Sequence, residues 1–415
     1  MECLVLSSSM TGIYSASMRL KQHRQQFPAL RNKAYFNFGG QGTLPQASLD
    51  AIQNAYAYIQ QYGPFSASVN DWVVEEANKT RVAIASELGA PVESITLTED
   101  VTVGCNIPMW GIDWQSGDHM LLTDCEHPGV VAIAQEIARR FQVEVSICPI
   151  LETLNQGDPT DIIAQHLRPR TRLVVLSHLL WNTGQVLPLK EIVDACHNYA
   201  DASQVVRVMV DAAQSVGCLS LNLTELGVDF YAFTGHKWWC GPEGLGGLYV
   251  RPDAMESISP TFIGWRGILP SATGKPSWKP DAQRFEVATS AYPLYAGLRA
   301  AIATHQQWGT DRERYEQICQ VSAYLWQRLS QLEFVRCLRT SPPQAGLVSF
   351  VLTDGRSHKR LVQFLEQRGF MLRTIQDPDC VRACVHYFTL HEEVDQLVDA
   401  IGLLLSEPLR RDLLP

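Results

Sequence analysis

The sequence predicts an α/β fold in which a mostly parallel sheet is covered by helices on both faces. Short apolar runs with the length and residue types of buried strands recur through the first 250 residues, among them 119–123, 173–177, 205–210 and 230–233. Segments with helical apolar spacing alternate with these runs, at 128–141, 158–167 and 188–200. Polar side chains come directly after several of the strands, which is typical of a ligand-binding sheet edge and not of a binding surface on one face.

Composition limits the classes of protein that remain. The chain has 415 residues, 46% of them apolar, which suffices for a large core and favours two domains. A net charge of -9 argues against nucleic acid as a partner. No apolar run reaches the ~18 residues that a membrane helix needs. Residues 1–16 lack the pattern of a signal peptide and are interpreted as a loose arm. The 11 cysteines form no CxxC pair, so we expect free thiols and a cytoplasmic location.

The stretch Asp229–Val250 carries the first chemical signal. An apolar strand predicted over 230–233 is followed by Thr234, Gly235, His236 and Lys237, and then by two tryptophans and a glycine-rich turn. A lysine in this position is partly desolvated, which lowers its pKa and makes its amine a nucleophile suited to a Schiff base. An ordinary loop lysine after a strand is the alternative reading of this residue alone.

A carboxylate supplies the second signal. The predicted strand 205–210 ends at Asp211, which the fold places at the crevice where ligands bind in open α/β sheets. Pyridoxal phosphate requires a lysine for its covalent attachment and an acid to keep its ring nitrogen protonated. An isolated Asp211 also suits a helix cap or a turn. Asp211 and Lys237 on consecutive strands together predict a pyridoxal phosphate site.

These motifs resemble a known family. The run Asp211-Ala212-Ala213-Gln214-Ser215, then Thr234-Gly235-His236-Lys237 before a glycine-rich turn and a short strand, is similar to the class V aminotransferases among the fold-type I pyridoxal phosphate enzymes. That group includes cysteine desulfurases, kynureninases and isopenicillin-N epimerases. The resemblance runs from about residue 35 to about residue 405. It implies a seven-stranded sheet, the cofactor pyridoxal 5′-phosphate and no metal.

Two segments in the first quarter of the chain fit this resemblance. Tyr35–Gly42 contains three glycines that permit close approach of the backbone to a ligand, and a plain turn is the alternative. The resemblance implies that the backbone of Gly39 and Gly40 helps to hold the substrate carboxylate. Further on, a helix is predicted to begin near Thr102, and a helix N-terminus attracts phosphate. We therefore expect the Val101 amide and Thr102 to contact the cofactor phosphate.

Further cofactor contacts follow from the resemblance, since the spacing alone does not assign them. His127, at a strand–helix junction, matches a histidine that stacks on the pyridine ring and can move protons. Asn182 and Gln214 match amides that contact the phenolic oxygen of the cofactor or its ring edge. Thr234 and His236 are placed in the cofactor site with Lys237. Lys237, His127 and Asp211 are predicted as the catalytic residues.

The loop around 264–290 implies an oligomer. In the family, a threonine or serine of this loop reaches across a dimer interface to the phosphate of the partner. Thr289 matches that position, so we expect a homodimer with shared active sites. A plain surface loop is the alternative.

From residue 291 onward the apolar pattern predicts long helices followed by short strands. We therefore expect a smaller α+β domain here, completed by the N-terminal segment. Arg373 and Arg382 are predicted on neighbouring strands there. A planar guanidinium grips a carboxylate with two hydrogen bonds, although exposed arginines are usually solvated. Arg382 matches the family residue that binds the α-carboxylate, and Arg373 suits a second carboxylate. The predicted division is 1–49 for the arm and part of the small domain, 50–290 for the large domain and 291–415 for the small domain.

The same segment bears on the reaction. In cysteine desulfurases a mobile loop here carries a nucleophilic cysteine, whereas six residues, 374–379, separate Arg373 from Cys380. We therefore predict a C–S lyase that acts on cysteine or cystine by β-elimination. Its products are pyruvate, ammonia, and sulfide or cysteine persulfide as a sulfur donor, for example for iron–sulfur cluster assembly through an acceptor protein. A desulfurase, epimerase or transaminase of the same fold is the alternative, and a non-catalytic partner protein would have lost Lys237 or Asp211.

Overall fold

The structure is a computed structural model that describes residues 18–270, 274 and 277–408. The predicted loose arm, residues 1–16, lies outside this range. Residues 18–24 are helical and are followed by a short 3-10 turn, Pro28–Arg31. No helix in the described ranges is long and apolar enough to cross a membrane.

A seven-stranded sheet forms the centre of the molecule. Its strands are β2 (Ile95–Thr98), β3 (His119–Thr123), β4 (Glu144–Cys148), β5 (Thr171–Ser177), β6 (Arg207–Asp211), β7 (Phe230–Thr234) and β8 (Gly246–Val250), in the spatial order β2-β8-β7-β6-β5-β3-β4. β4, β3, β5, β6 and β7 run parallel, and β8 pairs antiparallel with both β7 and β2. The prediction of a mostly parallel sheet is confirmed.

Helices cover both faces of this sheet. The helices of this half of the chain are α1 (Gln46–Tyr62), α2 (Ala67–Leu88), α3 (Val101–Gly111), α4 (Pro128–Phe141), α5 (Pro159–His166), α6 (Leu189–His197) and the single turn α7 (Leu223–Leu226). Alternate residues of each strand enter two separate cores. Val208 and Val210 pack in the core that contains α2 and α6, whereas Met209 packs in the core that contains α3 and α4.

A second, antiparallel sheet follows in the chain. Its order is β11 (Val335–Cys337), β12 (Leu347–Leu352), β15 (Asp379–Cys384) and β14 (Arg373–Gln376). The helices of this part are α8 (Pro293–Trp308), α9 (Asp311–Ser330), α10 (His358–Glu366) and α11 (His391–Ser406). The short strand β1 (Ala34–Tyr35) pairs in parallel with β13 (Phe370–Met371), so the N-terminal segment does join this part of the molecule. A small hairpin, β9 (Ile268–Leu269) with β10 (Ser277–Trp278), lies between the two sheets in sequence.

Most predicted elements correspond to observed ones, but β4 and the short strands β9, β10 and β11 were not predicted. Helix 128–141 and strand 119–123 have the predicted bounds. β4 lacks the apolar pattern of a buried strand, because it is an edge strand of the large sheet and three of its first four residues are polar or exposed. The division into 1–49, 50–290 and 291–415 stays a prediction.

Candidate active site

A cavity of about 220 Å³ opens at the edge of the large sheet where the parallel strands end. Apart from Gly39, Arg373 and Arg382, the lining residues lie at or shortly after the carboxyl ends of β2, β3, β5, β6 and β7. The lining residues are Gly39, Asp100, Val101, Thr102, His127, Ser177, Leu179, Trp181, Asp211, Ala213, Gln214, His236, Lys237, Arg373 and Arg382. Because the carboxyl ends of parallel strands meet at one edge, residues that are far apart in sequence meet in this cavity.

Lys237 and Asp211 face the cavity from neighbouring strand ends. Asp211 is the last residue of β6 and is buried, and one of its carboxylate oxygens accepts a hydrogen bond from the Ala213 amide at 2.9 Å. Burial raises the pKa of Asp211 above its usual range, and the charges of Lys237 and His127 oppose that rise. Burial likewise lowers the pKa of Lys237 to about 8, against the attraction of Asp211. The amine is therefore far more often neutral near pH 8 than an exposed lysine amine is.

The lowered pKa predicts how Lys237 reacts in the cofactor-free protein. The neutral amine is the nucleophile, so attachment of pyridoxal phosphate should accelerate as pH rises and level off above a midpoint near 8. An exposed lysine would continue to gain reactivity up to about pH 10.4. Stopped-flow absorbance between pH 6 and 10 measures this profile, and a midpoint above 9.5 would contradict it.

His127 lies at the first turn of α4, with Trp181 beside it. The His127 Nδ1 atom accepts a hydrogen bond from the Gly129 amide at 3.2 Å, so the ring caps the helix. The ring centroids of His127 and Trp181 lie 5.7 Å apart in an edge-to-face arrangement. Burial lowers the pKa of His127, so the imidazole is neutral at pH 7. A neutral ring in this position can stack on a flat ligand and exchange a proton with it.

The start of α3 supplies the part of the cavity suited to a phosphate. Val101 and Thr102 are the first two helical residues, and first-turn amides have no partner within their own helix. The Asp100 carboxylate caps the helix by accepting from the Val103 amide at 2.8 Å. His236 lines the cavity nearby, and its Nδ1 atom lies 2.6 Å from the Thr234 hydroxyl. Thr234 therefore orients His236 and is not itself a lining residue.

Gln214 connects the N-terminal segment to the segment that carries Lys237. Its Nε2 atom donates to the Gly39 carbonyl at 2.8 Å, and its Oε1 atom accepts from the Trp238 indole at 3.0 Å. A Cβ atom on Gly39 would lie 2.9 Å from both Cys384 Sγ and Gln214 Oε1. A side chain at position 39 would therefore have to displace these groups where the backbone passes the cavity.

Gly39→Ala is accordingly expected to impair the site while the fold persists. The added methyl group must displace Gln214 or the Arg382 guanidinium, whose Nη2 atom lies 3.0 Å from the position of the new Cβ. We expect roughly a 10-fold loss of kcat/KM, the scale of a strained close contact. Steady-state kinetics measure the loss. Gly402→Ala on α11 is the control, because its Cβ would meet Leu332 at an ordinary 3.5 Å; equal activity in both variants would contradict the expectation.

Arg373 and Arg382 line the cavity from strands β14 and β15. They are directly paired residues of β14 and β15, so both side chains lie on one face of the hairpin. Arg382 is buried, and its Nη1 atom donates to the Trp181 carbonyl at 2.7 Å. Its Nε and Nη2 atoms are buried without a hydrogen-bond partner in the described part of the chain. Arg373 is exposed at the cavity mouth. Two guanidinium groups facing one cavity favour a ligand with one or two carboxylates.

Besides Thr234, three further predicted residues lie outside this cavity lining. The Asn182 Nδ2 atom donates to the Asp377 carbonyl at 3.1 Å, and its Oδ1 atom is buried without a partner among the described residues. Gly40 turns away against the Asn37 side chain. Thr289 is exposed and lines a neighbouring cavity of about 520 Å³ with Phe262 and Val287. The roles of these residues stay predictions.

Glu126, Ser177 and Trp181 lie at the site although no role was predicted for them. The Glu126 carboxylate is buried and accepts from the Thr123 hydroxyl at 2.5 Å and from the Ser177 hydroxyl at 2.9 Å. Burial and the charge of Asp211 raise the pKa of Glu126 to about 8. The sequence nevertheless contained a signal for these residues, because all three lie at the ends of strands or beside residues that were predicted to belong to the site.

Comparison with known proteins identifies the family. The model of the Aminotransferase class-V family matches residues 34–397. The chain belongs to this family. Its match covers both sheets and every cavity-lining residue named above.

Solved structures of one protein resemble the chain strongly. The structure of the cystine C–S lyase C-DES with its reaction product cysteine persulfide is 53% identical, covers 91% of this chain and 99% of that one, and has a TM-score of 0.89. A lysine-to-alanine variant of C-DES, with glycine covalently linked to pyridoxal phosphate, is also 53% identical, with a TM-score of 0.89 and coverage of 91% and 98%.

Curated relatives are more distant. A probable cysteine desulfurase of Mycolicibacterium paratuberculosis is 27% identical over 91% of this chain, and the chain spans 57% of the length of that protein. The isopenicillin N epimerase of Streptomyces clavuligerus is 26% identical over 89% of this chain and 94% of its own length.

The residues present fit pyridoxal phosphate. A partly buried lysine with a lowered pKa lies beside a buried carboxylate, as attachment of the aldehyde and protonation of the ring nitrogen require. Unpaired first-turn amides of α3 lie on the same cavity. Lys237, Asp211, His127, Val101, Thr102 and His236 would hold the group.

Proposed function

We propose that the chain is a pyridoxal phosphate-dependent C–S lyase that cleaves cysteine or cystine by β-elimination. The products are pyruvate, ammonia, and sulfide from cysteine or cysteine persulfide from cystine. Similarity to C-DES at 53% identity supports this reaction. When bound, pyridoxal phosphate draws electron density away from the α-carbon of the substrate.

One observation distinguishes this proposal from a desulfurase: the β14–β15 hairpin carries no mobile loop. β14 ends at Gln376 and β15 begins at Asp379, so a two-residue turn joins them. Cys380, on β15, has no exposed surface, and burial raises its pKa to about 12. A protonated thiol fixed within a sheet is a poor nucleophile, so Cys380 does not suit a persulfide-forming role.

The side chains around the cavity then have distinct tasks. Arg382 binds the α-carboxylate of the substrate, since its unpaired guanidinium nitrogens need an acceptor. Arg373 binds the distal carboxylate, which cystine has and cysteine lacks. The Lys237 amine removes the proton from the α-carbon, and the carbon–sulfur bond then breaks. With the cofactor bound, the Asp211 carboxylate would hold the proton of its ring nitrogen, and His127 would provide a flat surface for its ring.

The assignment of Cys380 gives a direct prediction. Cys380→Ala should retain C–S lyase activity within about 2-fold of the parent, with a small loss of stability from the vacated space. Pyruvate release from cystine measures the activity, and thermal unfolding measures the stability. A loss of activity beyond 100-fold, without loss of bound cofactor, would assign Cys380 to the chemistry.

The proposed reaction is tested by its products. The protein is incubated separately with cysteine and with cystine, and pyruvate and alanine are quantified. A lyase forms pyruvate and ammonia in equal amounts, whereas a desulfurase forms alanine. Alanine without pyruvate would rule out the lyase. The second candidate, a cysteine desulfurase, is favoured by the names of several curated relatives, including that of Haloferax volcanii at 26% identity.

A homodimer is part of the proposal. Thr289 is exposed on a cavity separate from that of Lys237, as expected of a residue that serves the active site of a partner copy. Phe262, Ile263 and Trp265 expose 73%, 58% and 61% of their surface beside it, and such apolar exposure favours a protein interface. We also propose a cytoplasmic location and transfer of persulfide sulfur to an acceptor protein, for example in iron–sulfur cluster assembly.

A further inference from the structure

Two buried histidines contact the segment that directly follows Lys237. His386 Nε2 lies 2.9 Å from the Trp238 carbonyl, and His305 Nε2 lies 2.9 Å from the Trp239 carbonyl. His305 belongs to α8, and His386 follows β15, so neither comes from the large sheet. Both imidazoles are almost fully buried, at 2% and 1% exposure. The segment after Lys237 is therefore held from outside its own sheet.

The contacts determine the protonation of each ring. A carbonyl oxygen only accepts, so Nε2 of both histidines must carry hydrogen. His386 Nδ1 accepts from the Tyr387 amide at 3.0 Å, and His305 Nδ1 therefore accepts from the Tyr387 hydroxyl at 2.8 Å. Tyr387 OH then accepts from His23 Nε2 at 2.8 Å, and His23 Nδ1 accepts from Gln26 at 3.1 Å.

Each hydrogen in this chain of bonds has one acceptor, so a single set of neutral tautomers satisfies every ring nitrogen. Burial lowers the pKa of His386 to about 3 and that of His23 to about 4, and it lowers the pKa of His305 strongly. The three rings therefore stay neutral across the physiological range. Stacking of His305 on His386, with centroids 5.4 Å apart, keeps both planes aligned.

The supported segment has no regular structure of its own. The Lys237 carbonyl accepts from the Cys240 amide at 3.0 Å, and Cys240 has a left-handed backbone with φ of 51°. In the described residues the Trp239 carbonyl has His305 as its partner, and the Trp238 carbonyl has His386 and a long 3.9 Å contact with the Cys240 thiol. A buried carbonyl without a partner is costly, so loss of either imidazole would release this turn.

A metal site is the alternative interpretation of the two histidines and the neighbouring Cys240. Ligand atoms of Cys240, His305 and His386 lie within 4.8 Å of one another. All four ring nitrogens are, however, already engaged by the two carbonyls and by Tyr387. A metal would displace two of these bonds and leave buried carbonyls unpaired. Burial also raises the pKa of the Cys240 thiol to about 12, which opposes the thiolate that a metal prefers.

We propose that His305 and His386 are positioning residues that fix the turn after Lys237 to the C-terminal part of the chain, so that this part holds the lysine amine in the cavity. The expected effect on kcat rests on the proposed function, whereas the expected effect on the structure of the turn does not. Tyr387 couples the two imidazoles, through its amide to His386 and through its hydroxyl to His305. The turn that carries the reactive amine thereby depends on residues that do not line the cavity.

The test compares His386→Phe with His386→Gln in the full chain. The glutamine amide restores a donor at the position of Nε2, whereas phenylalanine leaves the Trp238 carbonyl unpaired. In cofactor-free protein, hydrogen exchange of residues 238–241 should be roughly 10-fold faster in the phenylalanine variant and nearly unchanged in the glutamine variant. After loading with pyridoxal phosphate, cofactor loss on dilution should accelerate by a similar factor. With cystine, kcat should fall more than KM rises.

His119→Phe is the matched control. His119 is a buried histidine with two side-chain partners, Thr171 and Ser146, at the opposite end of strand β3 from the cavity. The His119→Phe substitution should lower the melting temperature. It should not change the hydrogen exchange of residues 238–241 or the retention of the cofactor. Tyr387→Phe is a second variant that removes one hydroxyl and should accelerate the same exchange by about 3-fold.

Two results would overturn the proposal. One is exchange and cofactor retention in His386→Phe that match those of His119→Phe. The other is a stoichiometric metal in the purified protein that disappears in His386→Gln. Failure of the proposed function is recognised separately, because the parent protein would then release no pyruvate from cystine whatever the exchange data show.

Discussion

Lys237→Ala is expected to abolish both C–S lyase activity and covalent attachment of the cofactor. Lys237 supplies the cavity with an amine whose pKa is lowered to about 8, beside the buried Asp211 carboxylate. Loss of a positioned base alone costs roughly 10²- to 10⁴-fold in rate, and loss of covalent attachment adds to this. We expect kcat for cystine to fall by roughly 10⁴-fold or more. Borohydride treatment of the cofactor-loaded protein, followed by mass spectrometry, should label the parent and not the variant.

The control for this prediction is Lys190→Ala. Lys190 is exposed on α6 and pairs with Asp194, and a surface ion pair contributes little to stability. Its removal should leave labelling and kcat unchanged. Retention of labelling at a single site in Lys237→Ala would move the cofactor attachment to another lysine and refute the assignment on which the proposed mechanism depends.

Arg382→Lys is expected to weaken substrate binding strongly while the charge is retained. The guanidinium is buried, one nitrogen is committed to the Trp181 carbonyl, and two remain for a carboxylate. A lysine amine cannot make the bidentate contact, so one charge-assisted hydrogen bond is lost. Such a bond is worth about 1.5–3 kcal/mol, so we expect KM for cystine to rise roughly 10- to 100-fold. Steady-state kinetics and the absorbance change on substrate binding measure the effect.

Arg356→Lys provides the comparison for Arg382→Lys. Arg356 is also a buried arginine in the C-terminal part of the chain, but it donates to carbonyls at the end of α11, including those of Leu405 and Glu407. The Arg356→Lys substitution should therefore reduce the stability of the protein and leave KM for cystine unchanged. An unchanged KM in Arg382→Lys would show that the α-carboxylate binds elsewhere in the cavity.

The sequence by itself determined the fold and most of the cavity. The sequence alone predicts that Asp211 and Lys237 lie in one cavity, because each lies at or just after the end of an apolar strand. A parallel α/β sheet places such residues at the same edge. The six residues between Arg373 and Cys380 likewise excluded a long loop before the cysteine. In the structure the two paired strands and their turn occupy all six.

Only the tertiary structure decided how distant segments act on one another. Glu126 has a raised pKa because folding buries it near Asp211, a fact that no local pattern contains. The Asn182 amide is turned toward the Asp377 carbonyl by the docking of the β14–β15 hairpin. His305 and His386 meet the turn after Lys237 although these contacts join positions 66 and 148 residues apart in the sequence. Burial and long-range hydrogen bonds depend on which surfaces meet, and sequence spacing does not encode that.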